Sequence, residues 1–105
     1  MLRIHDVMLD AITTMRPMVR AIERHDRDLA SQLKRAASSV VLNLAEGSGS
    51  FGGVRTQRYR TALGSARETV SCLLVAERFG YLEPMPDALA SAMNRVIGTL
   101  VRVAA

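Results

Sequence analysis

The sequence predicts an all-α protein, an up-and-down antiparallel four-helix bundle assembled as a homo-oligomer. Three observations predict it. Apolar residues recur at steps of three and four through four separate stretches, the spacing of one helical face. Clusters of Gly, Pro, Ser and charged residues separate those stretches. Hydrophobic content is 49% but aromatic content only 4%, with no Trp, so the core must be built from Leu, Val, Ile, Met and Ala, which suits helix packing. The chain of 105 residues reads as one domain, residues 1–105, with helices at about 6–24, 28–46, 54–79 and 88–104.

In the first helix Met8, Ile12, Met15, Val19 and Ile22 repeat at four, three, four, three, close to a heptad seam. Pro17 lies inside this pattern and removes one backbone bond. The apolar phase survives across it, which favours a kink over the alternative of two short helices. His25–Asp26–Arg27 is a charged turn, short enough to make the first two helices antiparallel neighbours. The two histidines, His5 and His25, fall at opposite ends of the first helix, about 30 Å apart by helical rise. They do not form a metal pair, and the dispersed acids show no ligand spacing.

The second helix organises the chain. Leu29, Leu33, Ala36, Val40 and Leu44 lie on one face, widened by Ala30, Ala37 and Val41. Asp28 is expected as its N-cap and Gly47 as its C′ stop. Its last turns, Val-Val-Leu-Asn-Leu-Ala, are apolar almost all round, which suggests a second burying surface. Residues 47–53 hold four glycines. They lack the Gly-Lys-Ser/Thr ending of a phosphate loop and follow no strand, so they read as a connector. Phe51 is its anchor, against the bundle end or a neighbouring subunit.

In the third helix Tyr59, Leu63, Ala66, Val70, Leu73 and Leu74 are expected to face inward. Ala62, Ser65, Thr69, Cys72 and Ala76 make a second stripe, of small residues, that lets another helix come close. Gly80 supplies the stop, and Tyr81–Leu82 packs back. Pro84 and Pro86 break the chain again, and Asp87 is expected to cap the fourth helix. There Leu89, Met93, Val96, Leu100 and Val103 point inward, with Ile97 and Val101 on a flank. Val41, Leu42, Phe51, Ile97 and Val101 are therefore the candidate oligomer interface.

Resemblance enters on the run QLKRAASSVVLNLAEGSG followed by YRTALGSARETVSCLLVAERFGYL. Over Leu29 to Leu82 the chain resembles a small bacterial family of four-helix bundles that includes proteins encoded in intervening sequences of 23S ribosomal RNA genes. The accessory protein of diversity-generating retroelements is a more distant relative of that family. Val41 stands where members usually carry a proline, and the short start, Met1 to Asp6, lacks their aromatic-containing segment. What the resemblance implies is an antiparallel bundle, often a homopentamer. In the retroelement branch it also implies binding to nucleic acid and to a reverse transcriptase.

The formal charge is +4, from 14 basic and 10 acidic groups, and every basic residue but Lys34 is Arg. Arg favours planar recognition of phosphate and carboxylate. The sequence pI near 10 permits nucleic-acid binding without establishing it. Lys34, Arg35, Arg55, Arg58, Arg60 and Arg67 are the candidate contacts to RNA or DNA. The competing reading is a solvated face with salt bridges to Glu46 or Glu68. Cys72, the one cysteine, sits in an apolar run and reads as a small core residue. No nucleophile–base pair is indicated, and neither His has a Glu three residues before it, so no enzyme and no cofactor is expected. No secretory signal and no membrane-length apolar run is visible, so a cytoplasmic protein is expected. The partners expected are copies of itself, RNA or DNA, and a reverse transcriptase or other protein.

Overall fold

The computed structural model describes residues 3–105; Met1 and Leu2, part of the short start noted above, lie outside the described residues. Four helices follow one another: α1 (Arg3–Glu23), α2 (Arg27–Ser48), α3 (Gly52–Arg78) and α4 (Asp87–Val103). No strand occurs among the described residues. Each helix packs on the next and α4 closes on α1, so the bundle is up-and-down and closed. Its longest extent, 42 Å, is about the length of α3 at 1.5 Å per residue. No helix among the described residues is long and apolar enough to cross a membrane.

The core follows the spacing of three and four in α1, α2 and α4. Met8, Met15 and Ile22 are buried from α1, with Ile12 and Val19 packed on their edge. Leu33, Ala36, Val40 and Leu44 are buried from α2, and Leu89, Met93, Val96 and Leu100 from α4. Pro17 lies within one uninterrupted α1, so the two-helix alternative does not occur.

On α3 the expected face is partly corrected. The buried residues are Tyr59, Ala62, Ala66, Thr69, Cys72, Leu73 and Ala76. The small-residue stripe, apart from half-buried Ser65, thus joins Tyr59, Ala66 and Leu73 on the inward face, whereas Leu63 and Val70 are half-buried and Leu74 is exposed. The physical reason is the close packing of α3 on α2, which leaves room inside for Ala, Thr and Cys but not for a row of Leu. Thr69, the buried polar residue, is satisfied within its own helix, where its hydroxyl donates to the Ser65 carbonyl at 2.8 Å.

Three expected helix ends also change. Asp26, not Asp28, caps α2: its backbone is extended, and its carboxylate accepts from the Leu29 N–H at 2.9 Å. Asp28 falls in the first turn. Gly47 lies inside α2, and the chain turns only at Gly49, so the connector shortens to residues 49–51. A Cβ on Gly47 would lie 2.4 Å from Cε1 of Tyr59; this glycine serves close approach of the helices rather than a turn. Pro86, with no side-chain acceptor, occupies the N-cap of α4, and Asp87 is the first helical residue.

Gly80 does end α3. Its φ of 80° is the left-handed conformation, and the Tyr81 N–H reaches the Ala76 carbonyl at 2.8 Å while the Gly80 N–H reaches that of Glu77 at 2.9 Å. Tyr81 then stacks between His25 of the α1–α2 turn, at 4.9 Å, and Phe79, at 5.5 Å.

Candidate nucleic-acid interface

Antiparallel packing places an outer polar seam between α2 and α3. Residues 32, 39 and 46 follow a heptad on α2, and each meets a partner on α3. Gln32 donates to Glu68 at 3.2 Å, the Ser65 hydroxyl donates to that of Ser39 at 2.7 Å, and Arg58 pairs with Glu46 at 3.0 Å. Asn43 donates to the Ser39 carbonyl at 2.9 Å. Beside this seam lies an open groove of about 440 Å³ lined by Lys34, Arg35, Ser38, Ser39, Leu42, Asn43, Glu46 and Arg58. Its wall carries hydroxyls, an amide and three cations, a set that donates well to phosphate oxygens.

The six candidate cations do not form one surface. Lys34, Arg35 and Arg58 share the α2–α3 groove. Arg35 is steadied by the Ser31 hydroxyl at 2.7 Å. Arg55 sits at the α2–α3 corner, where its Nε donates to the Gly47 carbonyl at 3.2 Å and its guanidinium lies 5.7 Å over the Phe51 ring. Arg60 turns the other way and donates from Nε to the Ala104 carbonyl at the end of α4, 3.2 Å away. Arg67 lies seven residues on, along the same stripe as Arg60. Arg60 reaches the terminal carbonyl of α4, and Arg55 adds a donor to the Gly47 carbonyl, which already accepts from the Ser50 N–H at 3.1 Å; at both helix C-termini a cation also suits the macrodipole. That accounts for Arg55 in the first turn of α3, where its own helix disfavours a cation.

A second groove, about 310 Å³, runs between α1 and α2 and carries Arg16, Arg20 and Lys34 above a floor that includes Ile12, Met15, Val19, Leu33 and Ala37. Sequence reasoning missed Arg16 and Arg20. The signal was present: Arg16 and Arg20 lie four residues apart, which places two cations in one row on α1, and Arg24 follows in the turn just past its end.

Acids and bases are also sorted along the bundle. Glu23, Asp26, Asp28, Glu77, Glu83 and Asp87 gather at the end formed by the α1–α2 turn and the α3–α4 connection, with Arg24, Arg27 and Arg78. Of the chain's 14 cations and 10 acids, that end takes three and six, so the remainder carries eleven and four.

The candidate oligomer residues divide as well. Leu42 is 61% exposed and Phe51 83%, and Val101 is also exposed. Val41 and Ile97 are half-buried against this chain's own core.

No group of three His, Cys, Asp or Glu among the described residues is placed to hold a metal ion. Cys72 is buried, and burial, followed by the nearby Glu68 charge, raises its thiol pKa above the ordinary 9.0.

Closed bundle and cationic flanks together define the class: a small all-α bundle whose distinguishing surface is electrostatic. Within that class the chain belongs to the 23S rRNA-intervening sequence protein family, whose model matches residues 7–101 and so reaches into all four helices. No curated protein and no solved structure matches the chain significantly.

Proposed function

We propose that this protein is a non-enzymatic, homo-oligomeric cytoplasmic bundle that binds RNA or DNA through the cations beside α2. The observation that carries the reading is the sorting of charge: away from the acidic end, eleven cations stand against four acids. Such a field draws a polyanion to one part of the surface and repels it from the other. The groove of Lys34, Arg35 and Arg58 lies within the cationic part and offers donors of the kind that hold a phosphate backbone. The family description names 23S rRNA, which supports an RNA-related role. Exposure of Leu42, Phe51 and Val101 supports self-association, because one copy leaves them in water.

The test is filter binding of single-stranded RNA and duplex DNA at two salt concentrations. Retention should fall steeply with salt, with a slope of about −0.7 per phosphate neutralised on a single strand and about −0.9 on a duplex. Lys34→Ala, Arg35→Ala and Arg58→Ala together should flatten that slope more than Arg60→Ala with Arg67→Ala, because neither of the latter lines the groove and Arg60 is held at the end of α4. No retention of either nucleic acid at low salt would end the proposal.

A second reading, a bundle that only joins proteins, draws on the exposed rings Phe51 and Phe79, the latter 69% exposed at the acidic end. A protein partner recovered after nuclease treatment, from a protein that retains no nucleic acid, would favour it.

A further inference from the structure

We propose that the groove between α1 and α2 is a docking site for an acidic amphipathic helix of a partner protein. The groove spans Ile12 to Glu23 on α1, about 16 Å by helical rise, which is three turns of an incoming helix. Ile12, Met15, Val19, Leu33 and Ala37 present hydrocarbon to its interior. Ile12 and Val19 are only half-buried, so a helix laid over them would remove further apolar surface from water.

The rims decide the chemistry of the occupant. Arg16 and Arg20 stand one turn apart on α1, and Lys34 faces them from α2. Among the described residues none of the three is held by an ion pair or a side-chain hydrogen bond, in contrast to Arg35, Arg55, Arg58 and Arg60. A helix with an apolar stripe flanked by carboxylates would meet hydrocarbon below and a free cation on each side. Glu23 closes one end of the groove, so the partner's acids belong toward Arg16 and not beyond Arg20. Nucleic acid fits this groove poorly. No aromatic ring is present to stack a base, and a phosphate backbone would lie over aliphatic carbon. The polar groove between α2 and α3 suits phosphate better, and Lys34 borders both.

The experiment is a selection on the full-length protein from a library of helices about 14 residues long. Their apolar stripe is varied among Leu, Ile, Met and Ala, and their flanking positions among Glu, Gln and Lys. The best member is then made as a labelled peptide and titrated by fluorescence anisotropy. Glu should be enriched on both flanks, and Arg16→Glu with Arg20→Glu should weaken the peptide at least about tenfold. Arg95→Glu on α4, outside the groove, should leave its affinity unchanged. Both Arg16 and Arg20 are exposed, so the double variant keeps its fold, checked by circular dichroism.

An empty selection, enrichment indifferent to charge, or a peptide insensitive to the Arg16/Arg20 reversal overturns the proposal. A change of particle mass on that reversal also overturns it, because the groove would then hold a second copy. RNA retention by Arg58→Ala, which lies outside this groove, is measured in parallel; failure of the nucleic-acid reading therefore registers separately.

Discussion

Gly47 offers the sharpest test of how α2 and α3 are held. Replacing it with Ala places a methyl group 2.4 Å from Cε1 and 2.7 Å from Cδ1 of Tyr59. Carbon atoms rest comfortably at about 3.5–4.0 Å, so the ring or a helix must move by about 1 Å. Tyr59 is 6% exposed and packed in the core, so its ring has little space in which to retreat. Overpacking of this kind costs about 1–3 kcal/mol. Ala gains up to about 1 kcal/mol over Gly from helix propensity, and less in the last turn, where Gly47 sits. The net expectation is a loss of about 1–2 kcal/mol. At about 4–8 °C per kcal/mol for a chain of this size, Tm should fall by about 4–16 °C.

Gly64 supplies the opposite sign from the same chemistry. It lies in the middle of α3, is exposed, and a Cβ there would meet nothing within 4 Å. Gly64→Ala should therefore raise stability by about 0.4–1 kcal/mol. Urea and thermal melts of both variants at one protein concentration make the comparison. In a Tyr59→Leu background the cost of Gly47→Ala should shrink, because the clash is with the ring. Equal stabilisation by the two glycine substitutions would refute the view that a missing Cβ sets the α2–α3 separation.

Other outcomes follow from single contacts. Asp26→Ala should cost about 1 kcal/mol in urea melts, and Asp28→Ala under about 0.5, because only Asp26 accepts from a free N–H of α2. Cys72 should resist iodoacetamide in the folded protein and react at once in denaturant, because burial disfavours the thiolate. Its raised pKa means that the folded state keeps a proton the unfolded chain has already lost. Stability is therefore expected to fall as pH rises above the ordinary value of 9.0, and Cys72→Ala should flatten that decline. Leu42→Asp should lower particle mass in light scattering without shifting the helical signal, since Leu42 lies outside the monomer's core; an unchanged mass would remove that surface from the interface.

Helix faces were legible wherever large aliphatic side chains mark them, as Met8, Met15 and Ile22 do on α1 and Leu33, Val40 and Leu44 on α2. The inward face of α3 was not, because close packing fills it with Ala62, Ala66 and Ala76 while Leu74, Val75 and Phe79 stand outside. Hydropathy ranks those two sets in the wrong order. Gly47 was misread because glycine has two uses, left-handed backbone and absent Cβ, and only the position of Tyr59 distinguishes them. Spacing alone set Arg60 and Arg67 on one stripe, but which neighbour that stripe faces depends on where α4 ends. Arg16 and Arg20 belong to no local run of charge, and the groove they border draws its rims from two helices that only the fold brings together.

Under the proposed function, Leu42 would tie self-association to nucleic-acid binding. It lines the same groove as Lys34, Arg35 and Arg58, so a second copy seated on Leu42 lies beside those cations. Copies packed side by side in parallel would also align their acidic ends at one rim and bring the cations of the remaining length together. Cations brought together this way repel, which weakens the assembly unless a polyanion neutralises them. Nucleic acid and subunit contact therefore reinforce one another in a parallel arrangement, whereas an antiparallel one cancels the field and decouples them. Under this physics, added RNA should increase particle mass at low salt and lose that effect as salt screens those cations.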